Sequence, residues 1–231
     1  MKLSTKILLT FMTFLSGIFI FSGLILKREF LNIDKTDKFW DFKNKISFKF
    51  SHLSIDGWNL AFVAVKNNPN KSGIIFKERF DNLIKYHVKN DTLFVKFDPQ
   101  LYEKDQLKWN RRSKLGVIIF YDNLKSVNIN NGLADLDIRN NQKIELDIKG
   151  LSDVNIIGDG LVSDSLLVSV QGRSVLNFDG GEKTIKIKYL EALIEDSGKV
   201  NIEKVTSEKT KVKLNKKSII TLGEGSMNLL R

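Results

Sequence analysis

The stretches "DIKGLSDVNI" (residues 147–156) and "IEDSGKVNI" (194–202) share one pattern: an apolar residue, a few small or polar ones, then Val-Asn-Ile. From residue 126 the pattern recurs five times. It closes on Leu136-Asp137-Ile138, Val154-Asn155-Ile156, Leu176-Asn177-Phe178, Val200-Asn201-Ile202 and Ile220-Thr221-Leu222. An earlier apolar residue precedes each closing, in order Ile129, Ile148, Val170, Ile194 and Leu214, and a small residue falls between, in order Ala134, Ser152, Ser174, Gly198 and Ser218. Successive closings lie 18, 22, 24 and 20 residues apart. A period near 20 with short strands predicts a β-solenoid, because one unit cannot bury its apolar face alone and each must stack on the next. Side chains alternate along a strand, so the outer members of each triplet point inward and the middle one outward. The small residue is then expected at a tight corner. A β-sandwich with similar strands is the alternative.

Upstream the pattern is period two without the repeat. "ISFKFSHLSI" (46–55), "NLAFVAVK" (59–66), "KSGIIFKE" (71–78), "NLIKYHVK" (82–89) and "TLFVKF" (92–97) are rich in β-branched and aromatic residues. The separators D-G, N-N-P-N and N-D are turn formers. "DPQLYEKDQLKWNRRSKLG" (98–116) interrupts as a polar, basic excursion before "VIIFYDNL" (117–124) restarts the strands.

"ILLTFMTFLSGIFIFSGLIL" (7–26) carries no charge and is bracketed by Lys6 and Lys27-Arg28. Twenty helical residues rise about 30 Å, a bilayer's hydrocarbon thickness. A cleaved signal peptide would have a shorter apolar core and an A-x-A-like site, which is absent, so the segment reads first as a transmembrane anchor. The expected organisation is an anchor over 1–28, a stalk over 29–45, a β-rich part over 46–125 and solenoid repeats over 126–231. The flanking lysines favour a cytoplasmic bulk by positive-inside counting, although long domains translocate largely regardless of such charges.

The formal charge of +10 is unevenly placed. Residues 126–231 hold 15 Lys/Arg against 15 Asp/Glu, and the excess sits at the apolar end and in the middle. A nucleic-acid partner is therefore not expected, since its recognition element would concentrate the basic residues. The chain has no cysteine, which removes disulfides, thiolate nucleophiles and cysteine metal sites.

These residues bring a family into view. "LSIDGWNLAFVAV" (53–65) with "YHVKNDTLFVKF" (86–97), and the units "KGLSDVNI", "QGRSVLNF" and "EDSGKVNI", resemble the putative auto-transporter adhesin, head GIN domain family of bacteria over about residues 46–222. The family's small-residue triplet survives only as Asp196-Ser197-Gly198. The resemblance implies a right-handed single-stranded β-helix outside the cytoplasm, with no catalytic residues carried over. The localisation implied is a bacterial cell membrane, crossed once, with the β domain in the periplasm or outside.

Right-handed β-helices include polysaccharide lyases and hydrolases, whose sites need acids or bases converging from neighbouring coils. Asp135 and Asp153 share a repeat position, but Val175, Lys199 and Ile219 continue it, and solvated turn residues are the simpler reading. His52 and His87 have no acidic cluster at ligand spacing, so neither a metal nor a cofactor is expected. Two surfaces remain as candidates. Asp137, Asn155, Asn177, Asn201 and Thr221 would form an outward polar ladder, fixing register or offering a track for a glycan or partner strand. Lys104, Lys108, Trp109, Arg111, Arg112 and Lys114 combine cations with an aromatic on the excursion, a composition suited to anionic glycan, lipid headgroups or an acidic protein face. Beyond the last triplet only Met227, Leu229 and Leu230 are apolar, so a second copy or another partner is expected at that end. The expected function is a membrane-anchored, non-catalytic binding, adhesion-like or envelope-structural role. The alternatives are a polysaccharide-active β-helix enzyme and an anchored accessory subunit of an envelope complex.

Overall fold

The computed structural model describes residues 3–32, 42, 44–57, 62–77, 81–98, 115–139, 143–158, 160–215 and 217–223. The chain divides into two units, Met1–Asp41 and Phe42–Arg231.

The first unit is a helix, α1 (Leu3–Asn32). Its stretch Leu9–Leu31 has a mean hydropathy of 2.1 and is unburied among the described residues. At roughly 1.5 Å per residue it is long enough to cross a bilayer. The hydroxyls of Thr10, Thr13 and Ser16 each donate to the carbonyl four residues back, at 3.0, 2.8 and 2.9 Å. Those bonds satisfy the three hydroxyl donors within the helix itself. The helix runs past Lys27 and Arg28 into the segment read as a stalk; residues 33–41 of that segment lie outside the described residues.

The second unit is built of strands β1 (Asn44–Ser47), β2 (His52–Asp56), β3 (Phe62–Asn67), β4 (Gly73–Phe76), β5 (Ile84–Lys89), β6 (Thr92–Phe97), β7 (Leu115–Tyr121), β8 (Ser126–Asn130) and β9 (Leu133–Leu136). There follow β10 (Lys143–Lys149), β11 (Asp153–Ile157), β12 (Val162–Val170), β13 (Val175–Asp179), β14 (Ile185–Ile194), β15 (Lys199–Ile202), β16 (Val205–Leu214) and β17 (Ile219–Leu222). They form two mixed sheets, one of nine strands in the order β1-β4-β7-β3-β9-β11-β13-β15-β17 and one of eight in the order β16-β14-β12-β10-β8-β2-β6-β5. Neither sheet closes into a barrel.

From β8 onward the chain alternates between the sheets, and from β10 onward each strand pairs in parallel with the one two before it. Register places Ile129, Ile148, Val170, Ile194 and Leu214 side by side in the eight-stranded sheet. Val154, Leu176, Val200 and Ile220 line up likewise in the other. These are the columns expected from the repeat. Their inner members belong to one continuous apolar core that reaches from Phe50 to Val205. Each fully buried Ile, Leu or Val in such a core contributes about 1.5–3 kcal/mol relative to exposure.

The corners between the sheets are made two residues after each inner column. Asn131, Gly150, Gly172 and Asp196 have φ of 50°, 75°, 73° and 58° there, the left-handed region that Gly, Asn and Asp enter at least cost. The small residue comes next and is tucked inside rather than forming the turn itself. Ser152 and Ser174 are buried, and Ser152 Oγ donates to Lys149 O at 2.6 Å while Ser174 Oγ donates to Gly150 O at 3.2 Å. A Cβ on Gly198 would lie 2.7 Å from Val170 O, so bulk at this position is excluded. Backbone bonds continue the ladder through the corners, as from Val175 N to Ser152 O (2.8 Å) and from Lys199 N to Ser174 O (2.9 Å).

The N-terminal half departs from chain order. The β2–β3 pair of strands lies between β6–β7 on one side and β8–β9 on the other, parallel to both. Beyond β6 and β7 the sheets end in antiparallel strands: β5 on β6, and β4 then β1 on β7. The β5–β6 hairpin turns at Asn90-Asp91, both at positive φ (49° and 60°), the two-residue turn whose twist matches a hairpin.

Candidate functional site

The outward column of the nine-stranded sheet is displaced by two residues at its start. The neighbour of Asn155 is Asp135, not Asp137. Asn155 Nδ2 donates to Asp135 Oδ1 at 2.7 Å, and Asn177 Nδ2 donates to Asn155 Oδ1 at 3.2 Å. Asn201 stands beside Asn177 and Thr221 beside Asn201. Asn201 Oδ1 accepts instead from Glu203 N at 3.0 Å.

Asp137 is buried and belongs to a corner. Its carboxylate holds the Arg139 guanidinium through Nε at 2.8 Å and Nη2 at 2.5 Å, and its carbonyl accepts from Tyr121 Oη at 2.5 Å. The hydrogen bond from Asp137, with its charge, raises the Arg139 pKa above the usual arginine value. The displacement has a simple cause: Ala134-Asp135-Leu136 and Leu136-Asp137-Ile138 have the same inward–outward parity, so alternation cannot separate them. The corner before β9 is also one residue shorter than the corner before β11, and Gly132, not Ala134, occupies the tucked position.

The two aspartates examined as a catalytic pair do not face each other. Asp153 lies between Leu133 and Val175, while Asp135 lies beside Asn155. His87 stacks on Phe94 with ring centroids 5.0 Å apart. His52 Nδ1 lies 2.7 Å from Ser126 Oγ, a neighbour supplied by register across β2 and β8. Among the described residues no group of three or more His, Asp or Glu could hold a metal ion. Lys104, Lys108, Trp109, Arg111, Arg112 and Lys114 lie outside the described residues, as do Met227, Leu229 and Leu230.

On the eight-stranded sheet several outward positions carry paired charges. Glu191 accepts from Lys211 Nζ at 2.6 Å and from Tyr189 Oη at 2.8 Å. These two bonds lower the Glu191 pKa, Lys211 having the larger effect, and raise those of Lys211 and Tyr189. Lys188 is paired with Asp164, whose hydrogen bond raises the lysine pKa. Glu145 meets Lys143 at 3.0 Å and Asp147 meets Lys149 at 2.6 Å.

The class these features define is a mainly β protein of two mixed sheets, with one apolar N-terminal helix. The family model described as "Putative auto-transporter adhesin, head GIN domain" matches residues 63–223, and the chain belongs to that family. In structure it is similar to a putative adhesin from Parabacteroides merdae, with 17% identity and a TM-score of 0.49 over 72% of this chain and 66% of that one, just under two thirds of its length. It is also similar to putative adhesins from Bacteroides fragilis (15%, TM-score 0.41, 78% of this chain and 95% of that one) and Parabacteroides distasonis (12%, TM-score 0.45, 78% and 80%). No curated protein matches it in sequence.

Proposed function

We propose that this chain is a membrane-anchored, extracytoplasmic β-solenoid, a right-handed single-stranded β-helix, with a non-catalytic, adhesion-like binding role in the bacterial envelope. The observation that carries this reading is the family match across residues 63–223. The parallel pairing of every second strand from β8 onward supports the solenoid. The uncovered apolar stretch Leu9–Leu31 supports the anchor, with the β domain on the periplasmic or outer side. The asparagine column acts in this reading as a register-fixing ladder, since its amides bond one another. The basic excursion is a second contact surface toward envelope glycan or protein. A second copy docks at β17, whose Ile219 is 49% exposed and whose sequence IITL bears no charge.

The chain has no cysteine, so a single Lys209→Cys substitution on exposed β16 gives one thiol to follow. Labelling of intact cells by an impermeant maleimide, after outer-membrane permeabilisation where one is present, is the expected result. Labelling only after lysis would place the β unit in the cytoplasm and end the adhesion-like reading.

A further inference from the structure

The outward face of the eight-stranded sheet carries a groove. It opens at the β7–β8 corner as a cleft of about 800 Å³ between His52, Asn67, Asp122 and Lys125. It continues past Ser126 and Glu145 into a second hollow of about 490 Å³, floored by Asn128, Asp147, Leu167 and Leu193. Both hollows are open to solvent rather than enclosed. Apart from Asn67 at the end of β3 and the corner residues Asp122 and Lys125, the lining residues sit on β2, β8, β10, β12 and β14, which are adjacent in the sheet. Five strands about 4.8 Å apart span roughly 19 Å, so the hollow suits an elongated ligand.

Its walls are fixed before any ligand arrives. Lys125 N donates to Ser51 O at 2.7 Å and Asn68 N to Tyr121 O at 2.8 Å, Asn67 Nδ2 donates to Asp122 O at 3.1 Å, and Leu124 anchors the corner in the core. A preformed site avoids the cost of ordering loops on binding.

The lining also specifies chemistry. Glu145, Asp147 and Glu191 each have a lysine within 3.0 Å, and Asp122 and Lys125 share the cleft. The groove therefore offers neither an anion nor a cation a net attraction. It presents imidazole, hydroxyl, amide and carboxylate groups. Leu167 and Leu193 stand on the solvent face, Leu193 37% exposed, where neighbouring outward positions are polar. Two leucines flanked by hydrogen-bonding groups match the two kinds of surface on a sugar ring. A polypeptide adding as a strand would need an open edge, and β2, β8, β10, β12 and β14 are each paired on both sides.

We propose that this groove is the ligand site of the adhesion-like function and that it takes a neutral glycan chain, laid across β2 to β14. The proposal rests on the binding role put forward above. The test is calorimetric titration of the detergent-solubilised full chain with neutral hexasaccharides (glucan, mannan, galactan and xylan), with polygalacturonate and with reduced, carboxymethylated α-lactalbumin. The expected result is saturable binding of a neutral hexasaccharide, weakened at least tenfold by Ser126→Trp, which fills the cleft, and by Leu193→Glu, and unchanged by Glu182→Ala on a distant turn. Leu193→Glu, at an exposed position, decides the matter if Ser126→Trp fails to fold. Binding that neither variant alters overturns the site. Preference for polygalacturonate or the polypeptide, or no neutral binding at all, overturns the ligand class. Retention of the full chain on isolated envelope material is measured alongside: if it persists while the groove variants have no effect, the adhesion-like role stands and the groove falls. If retention is absent, the role itself falls.

Discussion

At the N-terminal end of the stacked strands both faces of the nine-stranded sheet are buried, whereas at the C-terminal end even the inner face is partly open. Following one outward column shows the change. Ile75, Ile118 and Ala64 are register neighbours and buried; the next positions are Asp135, Asn155 and Asn177, polar and half-buried. Lys71 Nζ over the Phe120 ring (4.7 Å) and Lys77 Nζ over Phe42 (5.4 Å) finish the apolar side with cations. The inner column of the eight-stranded sheet changes in the same direction: Ile194 is fully buried and its neighbour Leu214 is 52% exposed. The N-terminal end thus closes the core with antiparallel strands. The C-terminal strands display a polar exterior, and among the described residues nothing pairs with the outer edges of β16 and β17. Ends of stacked repeats are ordinarily capped, so an end without a cap among the described residues is where another molecule can add.

Truncation of the core should give the largest contrast between the ends. Ile119→Ala is expected to cost about 2–5 kcal/mol by denaturant unfolding, because a buried isoleucine leaves a cavity. Leu214→Ala should cost under about 1 kcal/mol. Equal losses would mean that the last coil is covered. Next comes association. If β17 meets a second copy, light scattering of the detergent-solubilised full chain should show a dimer that Ile219→Lys converts to monomer. A wild-type monomer would remove that contact. Replacing Lys209, Lys211 and Lys213 by Thr should instead cause concentration-dependent aggregation through β16, since edge lysines block unwanted strand pairing.

A smaller effect is expected in the ladder. Asn155→Ala removes two amide bonds and should cost about 1–3 kcal/mol in the same unfolding assay. A loss no larger than that of an exposed turn substitution would mean the ladder does not help hold register. The smallest effect concerns pH. The Glu191 pKa is lowered by Lys211 and then Tyr189, so its contribution is complete above the ordinary glutamate value and lost as pH falls through the lowered one. The Lys211 pKa is raised by Glu191, so its contribution holds below the ordinary lysine value and is lost as pH rises through the raised one. Glu191→Gln should flatten the acid limb of a stability–pH curve slightly and leave neutral pH almost unchanged, since exposed pairs are weak.

How far the residues alone reached differs along the chain. The columns Ile129 to Leu214 and Val154 to Ile220 were legible because period-two burial and a period near 20 constrain each other. The first triplet slipped by two because Leu133-Ala134-Asp135-Leu136-Asp137-Ile138 satisfies both registers equally. The left-handed corner also left a trace, since Asn131, Gly150, Gly172 and Asp196 are residue types that tolerate positive φ, but their common place emerged only once the register was known. The groove left none. His52, Ser126, Glu145 and Leu193 are far apart in sequence and become neighbours through parallel pairing.

The sequence by itself determined the alternating core, the repeating strands and the apolar helix, because each depends on local periodicity. Tertiary structure alone decided that β2–β3 sits between β6–β7 and β8–β9, that antiparallel strands close one end, and which outward residues meet across the sheet. Those outcomes depend on pairings between distant segments, and strand periodicity carries no information about which distant partner a strand will choose.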